Sequence, residues 1–193
     1  MAEVLLFHHV QGLTPGIVAF ADSLREAGHT VHTPDLFDGR TFDSIEAGLA
    51  YAQGDGAPDV DKLADEIAAG LPESLVYAGF SMGEAQAQRL AQTRPGAAGA
   101  LLFESCIPLT GDWAFGPWPE GVPVQIHGMD ADPFFAGEGD IDAAREIVAT
   151  VPDAELFTYP GDKHLFADGS LASYDPDATA LLQKRVLEFL GRV

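Results

Sequence analysis

An α/β domain built on a mainly parallel sheet of six strands, with helices on both faces, is the fold this chain predicts. Three observations predict it. Short apolar runs of four or five residues alternate with stretches whose apolar residues recur at helical spacing, the pattern of strand–helix crossover units. The runs are continuous, as in strands buried on both faces. Between one run and the next helix stands Gly79-Phe80-Ser81-Met82-Gly83, a Gly-x-Ser-x-Gly turn.

Val4 to Phe7 is the first strand, followed by the loop His8-His9-Val10-Gln11-Gly12-Leu13. Thr14-Pro15 supplies an N-cap and a proline at the first helical position. Ile17, Phe20, Ala21 and Leu24 carry that helix to Gly28, and Thr30-Val31-His32-Thr33 forms a second strand stopped by Pro34. Strand, helix and strand make one crossover, hence a parallel pair. Asp43-Ser44-Ile45-Glu46 has capping-box spacing and starts a short helix through Tyr51. Val60, Leu63, Ala64 and Ile67 mark a further helix closed by Gly70.

Leu75 to Ala78 is the strand before the serine turn, and Glu84 to Ala91 the helix after it. Ala100 to Phe103 is a fourth strand and Val122 to Ile126 a fifth. Between them runs an aromatic loop, Trp113 to Pro119, without period. Ile141, Ala144, Ile147, Val148 and Val151 form a helix behind Asp140, and Glu155 to Tyr159 is the sixth strand. The last helix opens at Asp175-Pro176 and ends at Gly191. No repeat, low-complexity tract or linker divides the chain, so residues 1–193 read as one domain.

Thirty acidic residues against ten basic give a formal net charge of −20. A field of that sign repels phosphate backbones and anionic lipid, which argues against nucleic acid and membrane surfaces as partners. The lone cysteine, Cys106, excludes an internal disulfide and fits a reducing compartment. No basic leader precedes Val4 and no apolar run reaches the ~20 residues of a spanning helix, so a soluble, cytoplasmic protein is expected.

A Gly-x-Ser-x-Gly turn between strand and helix is the setting of a nucleophile elbow. Glycines leave room for the sharp turn that lifts Ser81 above its strand, and the Met82 N–H faces any developing oxyanion. A serine hydroxyl needs a base, and the base an orienting acid, in the chain order Ser, Asp or Glu, His. Two histidines follow Ser81. His127 falls within or at the end of the fifth strand, as a core or strand-end residue, whereas His164 lies in the loop after the sixth strand, at the carboxyl edge of the sheet. His164 is therefore the expected base. The loop after the fifth strand offers Asp130 and Asp132 as the acid. A calcium loop does not fit there, because Phe134 stands where another oxygen ligand is needed. The second oxyanion N–H belongs to Val10 or Gln11 after the first strand. His8 and His9 point to opposite sides of extended chain and make a poor metal pair; lining of the pocket is the expectation for His9. Trp113, Phe115 and Trp118, with Phe134 and Phe135, are candidates for the pocket wall or for a hydrophobic plug over the sheet edge.

Over nearly its whole length the chain resembles the dienelactone hydrolase family of the α/β-hydrolases. The resemblance rests on Phe7 to Gly12, Pro34 to Phe37, Gly79 to Gly83 and Tyr159 to Ala167. It implies a minimal α/β-hydrolase domain and a triad of Ser81, Asp132 and His164, with oxyanion N–H groups from Val10 and Met82. It implies hydrolysis of a small ester or lactone through an acyl-enzyme, with no cofactor and no metal; an acyl transferase or thioesterase would use the same triad, and a non-catalytic ligand-binding protein would keep the fold without turnover. Three departures separate this chain from the name-giving enzymes. Serine replaces their cysteine nucleophile, His9 stands where they carry a glutamate, and Asp168 where they carry an arginine that holds a substrate carboxylate. On that basis Asp168 is expected to disfavour carboxylate-bearing substrates unless Arg40 reaches the pocket.

Overall fold

In the computed structural model, which describes residues 1–193, the chain enters its sheet one strand in from the edge. From β1 (Glu3–Phe7) it crosses through α1 (Pro15–Glu26) to the edge strand β2 (Thr30–His32). It then reverses. After α2 (Ile45–Ala52) and α3 (Val60–Ala69) come β3 (Val76–Phe80), α4 (Met82–Thr93), β4 (Gly99–Phe103), β5 (Val124–Met129), α5 (Asp140–Thr150), β6 (Ala154–Tyr159) and α6 (Pro176–Leu190). The six strands lie in the order β2-β1-β3-β4-β5-β6, and every neighbouring pair is parallel.

Alternation along each strand divides the core. Val4 and Leu6 of β1, Val76, Ala78 and Phe80 of β3, and Leu101 and Phe103 of β4 pack with α1 and α6. Leu5 and Phe7, Tyr77, Ala100 and Leu102 face the other way, against α3, α4 and α5. Both faces of the sheet are thus buried, which is why its strands read as unbroken apolar runs. The reversal of strand order falls between β1 and β3, and in open parallel sheets the crevice beyond the strand ends at that point receives ligands.

The predicted strands and helices are all present, with shifted limits. β5 begins after Pro123, which cannot donate to the ladder, and runs on to Met129, so His127 lies inside it. β3 extends to Phe80, and α4 starts at Met82, directly behind the serine. No helix is long and apolar enough to cross a membrane.

Candidate active site

The elbow is built from close packing. Ser81 has φ 48° and ψ −114°, a conformation costly for a residue with a side chain. Its N–H donates to the Phe103 carbonyl at 2.8 Å, and its carbonyl accepts from Glu84 N–H at 2.8 Å. A Cβ at Gly79 would run into the Gly83 carbonyl, and one at Gly83 would stand 2.5 Å from the His8 carbonyl. Both glycines are required by this approach of backbone to backbone. Met82, as the first residue of α4, has an N–H without a helical acceptor.

His164 Nε2 lies 2.9 Å from Ser81 Oγ, and its Nδ1 lies 2.7 Å from Asp132 Oδ2. A carboxylate can only accept, so Nδ1 carries the proton and Nε2 is left to receive the serine hydroxyl. Asp132 is fully buried, and its other oxygen accepts from Phe134 N–H at 2.8 Å. Asp130 is exposed and accepts from Gly161 N–H at 3.1 Å, away from the imidazole. Of the two aspartates the sequence left open, Asp132 is the one in contact with His164. Burial alone would lower the His164 pKa, but the Asp132 hydrogen bond and the charges of Glu104, Asp132 and Asp140 outweigh it, and the imidazole sits above its ordinary value. His127 is a core residue, paired with Tyr159 and Gln125; burial, then the Arg185 charge, pushes it down to about 3.

Two expectations about the loops are corrected. His9 does not line a pocket: it is fully buried, its Nε2 donating to Asp168 at 2.8 Å and its Nδ1 accepting from Gln11 N–H at 3.2 Å. Asp168 does not face substrate either. It is 1% exposed, and His9, Thr14, the Ser170 hydroxyl and the Ser170 N–H all donate to it. Burial raises the Asp168 pKa, yet the donors prevail, His9 first, and bring it down to about 2. The physical reason for both corrections is shared: a buried imidazole and a buried carboxylate satisfy each other. His8 points the opposite way, its Nε2 accepting from Leu36 N–H at 3.0 Å and its ring 5.0 Å from Phe37. No three His, Cys, Asp or Glu side chains converge as a metal would need.

A cleft of about 780 Å³ opens beside His164. Ile45, Leu49 and Ala50 of α2 form one wall, Phe134, Leu165 and Leu171 the other, with Asp43 and Glu46 among the lining residues and no lysine or arginine. Phe134 brings its ring to 4.6 Å from that of His164. Trp113 is no part of this wall. It is 82% exposed in the loop before β5 and does not line the cleft, nor do Phe115 and Trp118, while Phe135 is buried in the core. Arg40 is engaged elsewhere, its guanidinium 5.3 Å from the Tyr51 ring centre. The helix α2 is seated directly on the loop after β1, where a Cβ at Gly48 would collide with the Val10 carbonyl. The sequence showed this helix through its capping box but not that it walls the cleft.

Two buried acids, Glu104 and Glu84, and the half-buried Asp140 were not read as part of the site from the sequence. Glu104 directly follows β4 with φ 63°, and Glu84 lies in the first turn of α4; neither carboxyl has a hydrogen-bond partner. Burial, opposed by the His164 charge, raises Glu104 to about 7, and burial with the Asp140 charge raises Glu84 to about 8. Asp140 accepts from Ser105 and from Cys106 N–H. The available signal was a glutamate ending the apolar run before it, where a charge must be buried.

The parallel sheet with its serine elbow after β3 is that of an α/β-hydrolase. Within that class the chain belongs to the dienelactone hydrolase family, whose pattern matches residues 1–193. No curated protein matches the sequence. Among solved structures, a candidate dienelactone hydrolase from Klebsiella pneumoniae is similar at TM-score 0.72 and 18% identity, over 100% of this chain and 88% of that one. A dienelactone hydrolase-like promiscuous phosphotriesterase from metagenomic libraries gives TM-score 0.72 and 18% identity, covering 100% and 86%. Esterase 2 of Thermogutta terrifontis, phosphoramylated by tabun, gives 0.67 and 17%, covering 99% and 83%.

Proposed function

We propose that this protein is a serine hydrolase that cleaves a small neutral ester or lactone through an acyl-enzyme. The observation that carries the reading is the hydrogen-bonded chain Ser81–His164–Asp132, with Ser81 at a strained elbow and His164 lining the cleft. In this reading His164 Nε2 takes the hydroxyl proton as Ser81 Oγ attacks the substrate carbonyl. Asp132 holds the imidazole in the required tautomer and steadies the imidazolium. The N–H groups of Val10 and Met82 receive the oxyanion, Met82 being free of a helical acceptor. Collapse expels the alkoxide, which takes the proton from His164, and water repeats the sequence on the acyl-enzyme. The apolar walls of the cleft suit an uncharged acyl or alcohol group, and the acids Asp43 and Glu46 disfavour an anionic one.

The similar esterase phosphoramylated by tabun makes a fluorophosphonate a suitable probe. Labelling should fall on Ser81 and be lost in Ser81→Ala. The same variant should lose about 10⁴-fold or more in kcat on a p-nitrophenyl ester panel. A variant that kept a tenth of the activity would remove Ser81 from the mechanism. Transfer of the acyl group to an added alcohol or thiol faster than to water would make the protein an acyl transferase on the same residues.

A further inference from the structure

Glu104 is the buried group that the mechanism above leaves unused. It is the residue that follows β4, the strand between the one bearing Ser81 and the one leading to Asp132. Its N–H donates to the His127 carbonyl at 2.7 Å, which fixes its backbone to β5. Its φ of 63° turns the side chain inward, and the residue is 1% exposed. Neither carboxyl oxygen has a hydrogen-bond partner, and the N–H groups of Phe166 and Ala167, in the loop that carries His164, act on it to favour its charge. A lone buried carboxylate is costly, and so is a strained non-glycine backbone. Both are retained at a strand end that lies between those of Ser81 and Asp132, in a residue whose charge acts on His164.

We propose that Glu104 is a positioning acid that acts on His164: its carboxyl holds a proton while the imidazole is free to act as base, and carries the charge when the imidazole is protonated. This rests on reading Ser81 and His164 as nucleophile and base. The charged groups that face His164 are Asp132 from the loop after β5, Glu104 from the end of β4 and Asp140 from the start of α5. Those that face Glu104 are His164 and Asp132. Each of the pair moves the other in the direction the proposal needs: an ionised Glu104 raises His164, and a protonated His164 lowers Glu104. The pair then loses its protons in two steps that belong to neither residue alone. Asp132 differs, because its hydrogen bonds keep it as a fixed acceptor for Nδ1.

The test follows His164 by NMR through a pH series in the wild type and in Glu104→Gln, alongside fluorophosphonate labelling rates at each pH. Loss of the acid should move the His164 transition to lower pH and turn a two-step acid limb of labelling into one step. Labelling at about pH 6 should become severalfold faster. A merely structural Glu104 would change thermal stability and leave the His164 transition in place. Carbon-13 titration of the Glu104 carboxyl in the unaltered protein needs no variant, and its change should fall near neutrality in step with His164. Coincident His164 transitions in the two proteins, or a Glu104 carboxyl that ionises in the ordinary carboxylate range, would overturn the proposal. A wild type that takes no label while His164 still responds to Glu104→Gln would uphold the coupling and sink the serine-hydrolase reading instead.

Discussion

Replacing Asp168 with asparagine removes one charge and keeps the shape. In the folded protein that charge receives donors from His9, Thr14 and Ser170, and its pKa falls from 3.8 to about 2. The carboxylate is 1% exposed, so solvent screening does little to discount the shift. A depression of that size corresponds to about 2 to 3 kcal/mol of stability held by the ionised form. The sign follows from the depression: the contribution is present in full above the unfolded value near 3.8 and is lost as pH falls through about 2. Asparagine imitates the protonated acid and adds an N–H group among donors. Asp168→Asn should therefore lose about 2 to 3 kcal/mol at pH 7 in urea unfolding, or roughly 5 to 10 °C in Tm. At about pH 3 the gap between the two proteins should shrink by roughly half. The loop after β1 loses its tie to the loop that carries His164, so on the proposed mechanism kcat should fall by about 10- to 100-fold with little change in KM. Equal unfolding midpoints at pH 7, or a gap that does not narrow in acid, would refute the reasoning.

Asp132→Asn should cost about 10³-fold or more in kcat, whereas Asp130→Asn, whose partner is only Gly161 N–H, should stay within a few fold; reversed results would exchange the two assignments. A neutral ester should exceed its carboxylate analogue in kcat/KM by about 5- to 30-fold at low salt, and less at high salt, because the cleft has acids and no cation. A faster anionic partner would point to a cation that reaches the cleft on binding. Gly79→Ala should destabilise by about 1 to 3 kcal/mol or more, since its Cβ meets the Gly83 carbonyl; an unchanged melting curve would show that the elbow can relax.

Much of this was legible in the chain because each signal was local. Apolar runs, caps and the glycine-flanked serine report on a few neighbouring residues, and the order of elements fixed which loops reach the carboxyl edge. What failed were statements about where a side chain points. His9 and Asp168, 159 positions apart, were read as two separate departures from the family pattern. They touch, and so form one feature: a buried base and a buried acid paired with each other. Trp113 was assigned to the pocket by composition, whereas its side chain stands 82% exposed and does not line the cleft. Glu104 passed unnoticed because burial of a charge is a property of the packed sheet, not of its sequence neighbours.

The seating of α2 has a practical meaning for anyone who would redesign this protein. The cleft wall is an eight-residue segment joined to the body by loops at both ends, and the reacting groups arise from separate strand ends. Libraries at Ile45, Leu49 and Ala50 can then be recombined freely with the Ser81–His164–Asp132 geometry left intact. Gly48 must be withheld from such libraries, because any side chain there would push the segment off the Val10 carbonyl and carry the loop after β1 with it.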